Sequence, residues 1–481
     1  MYDLMVRGGT VVTAAEATLL DIGIEGEQIV EIARPGLMQS EARRVVHAAG
    51  CFVLPGGVDP HCHYNMTFMG VQSETQEYSY AAALGGTTTV IDFAPQIPPA
   101  SLAEAIRTKK QEADGRMAVD YGLHALLTGE ISFEVMEEIG DVIRDGIPTI
   151  KTMMTYDWMS DDGHRLGVMQ QVAEHGGLSV VHAEDDAIAR WLTKKYLRDG
   201  KTHGGYISET RGPLVEEAAI RRVQLLAERT GSPLYILHMA AGSGVAALDE
   251  ARRRGLPFYG ETLTPYLSFT AEKLWDDANR GLLWNNYPTI KYQEDQDELW
   301  SAITSDRLQV VSSDHFALTT TDRYKKLGTT VDSLQCGQAG VELRIPVLFH
   351  LGVQLGRLSV SRFVELIATN PAKIMGLYPQ KGAIAIGSDA DIVVYDPNRA
   401  WTVHHQDLHM NVDYSCWEDW DLRGKPRTTI LRGQILVEDE RFVGPKNSGR
   451  FIARALLPEV VANPRQLEFT SESSASVVDP G

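Results

Sequence analysis

Between residues 55 and 375, short apolar runs rich in β-branched residues take turns with amphipathic helical patterns, and this alternation most limits the folds open to the chain. The runs fall at 87–93, 118–123, 178–181, 234–237, 257–259 and 308–311. Between them, 133–144 puts Val135, Ile139 and Val142 on one helical face, with Ser132 placed to cap and Gly146 to terminate. The stretch 215–229 does the same with Val215, Ala219, Val223 and Leu226, between Pro213 and Gly231. Strand–helix units repeated about eight times imply parallel strands, arranged as a closed barrel or a doubly wound sheet. No G-x-G-x-x-G follows the first strand, which counts against a dinucleotide-binding sheet.

The two ends of the chain read differently. Leu4 and Val6 alternate with polar neighbours, Gly8-Gly9 marks a turn, and Ile22 and Ile24 begin another alternating run. Asp389-Ala-Asp-Ile-Val-Val-Tyr395 is a strand, and 429–437 is another, broken by Gly433. Two β segments flanking a long middle can pair, so residues 1–54 and 376–458 are expected to form one small β-sandwich-like domain, with 55–375 as the barrel. Residues 459–481 are polar and small, and are expected to be a loose tail.

Charge and cysteine content narrow the function classes. Lysine and arginine number 45 against 64 acids, a net charge of −19, which argues against nucleic acid or an anionic membrane as partner. No apolar stretch approaches the ~18 residues that span a bilayer. Met1-Tyr-Asp-Leu4 has no secretory pattern, and Cys51, Cys62, Cys336 and Cys416 form no C-x-x-C pair. A cytoplasmic protein in a reducing compartment is the expectation.

The sharpest motif is Asp59-Pro-His-Cys-His63. In extended chain His61 and His63 point to one face and Cys62 to the other, so two imidazoles can reach one metal ion. His182, His238 and Asp314 each end a strand-like run, and Lys151 ends Ile147-Pro-Thr-Ile-Lys151. Barrel enzymes carry their catalytic groups at such C-terminal strand ends. Strand ends gather polar residues in any case, but four histidines, a lysine and an aspartate all so placed are poorly explained that way.

This set, with Gly85-Gly-Thr-Thr-Thr-Val-Ile-Asp-Phe93, His182-Ala-Glu184, Tyr259-Gly-Glu-Thr262, Ser313-Asp-His315 and Asn370-Pro-Ala-Lys373, resembles the dihydropyrimidinase and hydantoinase family of the amidohydrolase superfamily, from residue 1 to about 455. The resemblance implies a (β/α)8 TIM-type barrel holding two divalent metal ions, zinc by default. His61, His63 and Asp314 would hold one ion and His182 and His238 the other, with Lys151 carboxylated by CO2 and bridging both. It implies that Tyr156 stabilises the oxyanion, that Asp314 moves the proton, and that the reaction opens a cyclic ureide or imide to an N-carbamoyl amino acid. It also implies a homotetramer. His124, Glu184, Glu261 and His315, in matching phrases, are either supports for the ligands or ordinary core hydrogen-bonding groups.

The departures lie in substrate contacts. Trp284-Asn-Asn-Tyr-Pro-Thr-Ile-Lys291 replaces the family's Ser-Pro-Pro-x-Arg stretch, Phe316-Ala317 replaces Cys-Pro, and Cys336-Gly-Gln338 replaces Asn-Gly-Gly. Asn285 and Cys336 are therefore expected to touch substrate. Asn65 stands where dihydroorotases carry arginine, which counts against an acidic ring; allantoinase shares the ligand set and stays open. A non-catalytic scaffold of this fold is disfavoured because all six ligands are present.

Overall fold

The computed structural model describes residues 1–38, 40–276, 280–322, 328–334 and 336–462. Eight parallel strands form the central sheet: β1 (Gly57–Asp59), β2 (Thr87–Gln96), β3 (Asp120–Leu127), β4 (Thr149–Met153), β5 (Leu178–His182), β6 (Leu234–Ile236), β7 (Phe258–Leu263) and β8 (Val310–Ser312). Each pairs with the next in chain order, in register pairs such as Asp120↔Thr89, Lys151↔Val180 and Glu261↔Val310. Every residue of β2 except Pro95 is buried, as expected of strands covered on both faces.

Closure between β8 and β1 comes just beyond their ends. His63 N–H donates to the His315 carbonyl at 2.8 Å and His315 N–H to the His61 carbonyl at 3.2 Å, bridging Cys62 and His315. Below this seam lies Arg344, fully buried, whose guanidinium donates to the carbonyls of Val58 (3.2 Å) and Val311 (3.0 Å) and pairs with Asp59 (3.3 Å). The closed barrel, rather than the doubly wound sheet, is thus the outcome. It brings the segment after β1 beside the segment after β8, and with them His61, His63 and Asp314.

The helix Pro213–Thr230 has Pro at its first position, Gly231 at φ 73 after its end, and a buried face of Val215, Ala219, Ile220, Val223 and Ala227. The helix expected over 133–144 is present as Phe133–Glu137 and Ile139–Arg144, capped by Ser132. Glu138, between them, keeps αR angles with ψ flattened to −17°, and its carboxylate accepts from Ala103 N–H at 2.8 Å.

Both termini contribute to one nine-stranded mixed sheet, the small β domain. Phe52–Pro55 runs antiparallel to Ile392–Thr402, with Val53 opposite Val394, and Leu4, Val6, Ile22, Ile29, Ile392 and Ile430 share its core. The turn expected at Gly8-Gly9 is instead a bulge within the continuous strand Tyr2–Val12. Glycine serves close approach there: a Cβ on Gly9 would lie 2.4 Å from Val53 Cγ2. At the other end, Arg432-Gly433, both at positive φ, form the two-residue turn joining Asp421–Leu431 to Gln434–Glu438. The expected tail begins inside a short helix, Pro458–Val461, and 463–481 lie outside the described residues.

Candidate metal centre and substrate cavity

A cleft opens at the C-terminal ends of the barrel strands. Its wall contains His61, His63, Lys151, His182, His238 and Asp314 together with Tyr156 and Cys336, so eight of the nine singled-out residues meet there. Asn285 does not line it; the wall is built by its neighbours Asn286 and Tyr287, while Asn285 is fully buried behind them.

The first group is tight. Asp314 Oδ1 lies 3.0 Å from His61 Nε2 and 3.1 Å from His63 Nε2. Its second oxygen accepts from Asn286 Nδ2 at 2.9 Å. The second group faces it: the rings of His182 and His238 are 4.5 Å apart, and His238 is 5.3 Å from His61. Lys151, from β4, stands between strands carrying both groups, its ammonium 4.1 Å above the Phe93 ring. Phe93 also stacks on His63 at 4.6 Å.

Burial sets the protonation states. It pushes His63 down to about 3, lowers His182, and, with His182 adding to the effect, holds His238 well below the ordinary imidazole range. Burial works against the Asp314 carboxylate, yet the imidazoles around it hold the group well below the usual carboxylate range. Lys151 is pushed down to about 8 by burial, against the pull of Asp314 and Glu261. Neutral imidazoles, an ionised carboxylate and a readily deprotonated lysine are the states that metal coordination and carbamate formation require. The buried His61 Nε2 and His238 Nδ1 make no hydrogen bond among the described residues, so the donor set fits a pair of cations.

Carboxylates stand behind two of the candidate ligands and would orient them. Glu261 accepts from His61 Nδ1 at 2.5 Å, and Glu184 accepts from His182 Nε2 at 2.8 Å. Both were ambiguous in the sequence, and the structure puts each directly behind a ligand. His124 is bonded to the Pro60 carbonyl and Thr149, and His315 to Glu74 at 2.7 Å, so these two serve the barrel wall and its seam. Cys62 points away from the cleft and is fully buried. His404, Glu418 and Asp419 also converge, but as ion pairs at the surface.

Tyr156 stands at the cleft's edge at φ 67, its hydroxyl donating to Glu184 at 3.1 Å. His238 and Asp314 likewise have positive φ, an uncommon state for side chains that concentrates at functional positions. The remaining wall is Met66, Phe68, Met153, Tyr287, Phe316 and Gly337, which sequence patterns did not single out, apart from Tyr287, Phe316 and Gly337 in the altered loops.

The amidohydrolase family model matches residues 52–436. The D-hydantoinase of Streptomyces coelicolor is 37% identical over 459 residues, covering 94% of this chain and 98% of that protein. That of Geobacillus stearothermophilus is 35% identical, covering 95% and 98%. Among solved structures, D-hydantoinase from Bacillus sp. AR9 superposes with a TM-score of 0.90 at 37% identity over 94% of this chain and 99% of its own. Dihydropyrimidinase from Brevibacillus agri NCHU1002 gives 0.91 at 35% identity over 96% and 99%. With the barrel, the strand-end ligand set and these likenesses in agreement, the chain belongs to the hydantoinase family of the amidohydrolases.

Proposed function

We propose that this chain hydrolyses the cyclic amide of a 5-substituted hydantoin or a dihydropyrimidine, releasing an N-carbamoyl amino acid. The observation that carries the proposal is the convergence of four histidines, Lys151 and Asp314 on one cleft. His61, His63 and Asp314 would hold one divalent ion and His182 and His238 a second, both zinc by default. The neutral Lys151 amine would add CO2 and lose a proton, and the resulting carbamate would help hold both ions. When bound, the ions lower the pKa of water from about 15.7 toward about 7 and polarise the ring carbonyl.

The chain's own groups do the rest. Tyr156 turns its hydroxyl from Glu184 to the oxyanion that develops on the carbonyl. Asp314, anchored by Asn286, takes the nucleophile's proton and passes it to the departing ring nitrogen. Cys336, Asn286 and Tyr287 read the ring, and Phe68, Tyr287 and Phe316 give an apolar seat to its 5-substituent. A cytoplasmic homotetramer, as the family resemblance implies, completes the reading.

The test is ring opening by zinc-loaded protein across dihydrouracil, hydantoin, 5-phenylhydantoin, allantoin and dihydroorotate, with metal counted on the same sample. Turnover of any of the first three with two metals per subunit is expected. Two metals with turnover of allantoin alone would move the assignment to that ureide, and no bound metal would overturn the enzymatic reading.

A further inference from the structure

Arg211 follows the short helix Ile207–Thr210 and is nine-tenths buried beside the cleft, without lining it. Its guanidinium lies 4.5 Å from the centre of the Tyr156 ring and 5.0 Å from that of Tyr287, while the two rings are 5.1 Å apart. Nη1 pairs with Glu184 Oε2 at 3.1 Å, and both terminal nitrogens donate to Thr155 Oγ1 at 3.3 Å. The backbone here is held too, since Lys291 Nζ donates to the Arg211 carbonyl at 2.6 Å. One cation therefore touches the two aromatic walls of the cleft, the residue preceding Tyr156, and the carboxylate that Tyr156 now engages.

That carboxylate poses a problem for catalysis. A phenol has one proton to donate, and the Tyr156 hydroxyl gives it to Glu184 Oε2. The same oxygen receives His182 Nε2 at 2.8 Å and the Arg211 guanidinium. When the phenol turns away, two charge-assisted or strong donors remain, so no buried carboxylate is stranded. A guanidinium against the ring face also holds the ring by a cation–π contact and favours the electron density that a donating hydroxyl accumulates.

We propose that Arg211 is the positioning residue of Tyr156: it clamps the phenol ring beside Tyr287 and satisfies Glu184, freeing the Tyr156 hydroxyl for the substrate's carbonyl oxygen. The inference rests on the reading of Tyr156 as the oxyanion donor. It assigns to Arg211 an effect on turnover exerted wholly through Tyr156. Lysine in its place keeps a charge but not the planar fork that spans ring, carboxylate and hydroxyl at once.

A double-mutant cycle tests this, using Arg211→Met, Arg211→Lys and Tyr156→Phe in the zinc-loaded protein. Arg211→Met is expected to lower kcat about tenfold with KM and metal content near wild type, and Arg211→Lys to fall between. In the Tyr156→Phe background either change at Arg211 is expected to cost less than about twofold, because a coupling of about tenfold resides in the pair. Equal losses in both backgrounds, an unchanged kcat, or loss of metal from both Arg211 variants would overturn the proposal. Wild-type protein inactive on every ring would sink the functional reading alone. The clamp is then read in protein labelled with 3-fluorotyrosine: the ¹⁹F resonance missing from Tyr156→Phe should shift strongly in Arg211→Met and less in Arg211→Lys, and no shift overturns it.

Discussion

Glu261, on β7, accepts a hydrogen bond from Nδ1 of His61, beyond the end of β1, at 2.5 Å, passing over the intervening strand β8. Its oxygens also receive the His238 backbone N–H at 3.2 Å and the Tyr235 hydroxyl at 2.8 Å. One carboxylate thus fixes the tautomer of His61, proposed to hold the first ion, and the backbone of His238, proposed to hold the second. Glu261→Gln replaces one acceptor with an amide that donates toward existing donors. Metal affinity is expected to fall about 10–100-fold, the usual cost of losing such a support. Competition with a chelator measures it; unchanged affinity would reduce Glu261 to a core hydrogen-bonding group.

Lys151→Ala removes the only lysine in the cleft wall among the described residues. At least one metal per subunit and nearly all turnover should go with it, while the circular dichroism spectrum stays that of the wild type. Native mass spectrometry of the wild-type protein should show one adduct of CO2 mass that the variant lacks. A fully metallated, active Lys151→Ala protein would remove the carbamate from the mechanism.

Much of this was legible because it depends on short-range periodicity. His61 and His63 share a face by the period of two, and strand ends are where β-branched runs stop. Asn285 and Asn286 sit in a loop without a period, so which of them faces the cleft depends on a contact with Asp314, from beyond the end of β8. Arg211 lies in Ser208-Glu-Thr-Arg-Gly212, which has no pattern at all; its role exists only where loops after β4, β5 and β7 meet. Gly8-Gly9 misled for a related reason. A glycine pair marks a turn when conformational freedom is what the chain needs, whereas Gly9 is there for the closeness of Val53, a residue 44 positions away.

The junction of the two domains carries a buried charge cluster that makes its own prediction. Lys381, 1% exposed, reaches Asp120 at 2.6 Å, Asp391 at 2.8 Å and Asp389 at 2.9 Å, and Arg432 also pairs with Asp120. Burial alone would depress the ammonium, but the three carboxylates hold it above its usual range. Lys381→Met keeps the stem and strands the carboxylates, at a cost of about 3–5 kcal/mol. Urea unfolding should show it as a lowered midpoint, and a loss under about 1 kcal/mol would mean that the remaining Arg432 suffices.

His409 and Glu342 join the β domain to the barrel in a pH-dependent way. Glu342 accepts from the His409 ring at 2.9 Å and from its backbone N–H at 2.7 Å. The hydrogen bond to Glu342 raises the His409 pKa above 6.5; burial works the other way, and Lys425 and Lys446 oppose the shift. With the folded value above the unfolded one, protonation favours the folded state. The stabilisation is fully present below about pH 6.5 and is lost as pH rises through the folded value. His409→Gln should therefore narrow its stability gap to wild type as pH is raised from 6 toward neutrality and beyond. The ring is 40% exposed, so solvent screening keeps the effect small and added salt should shrink it further. A gap that stays constant across that range would leave only the backbone hydrogen bond as the link.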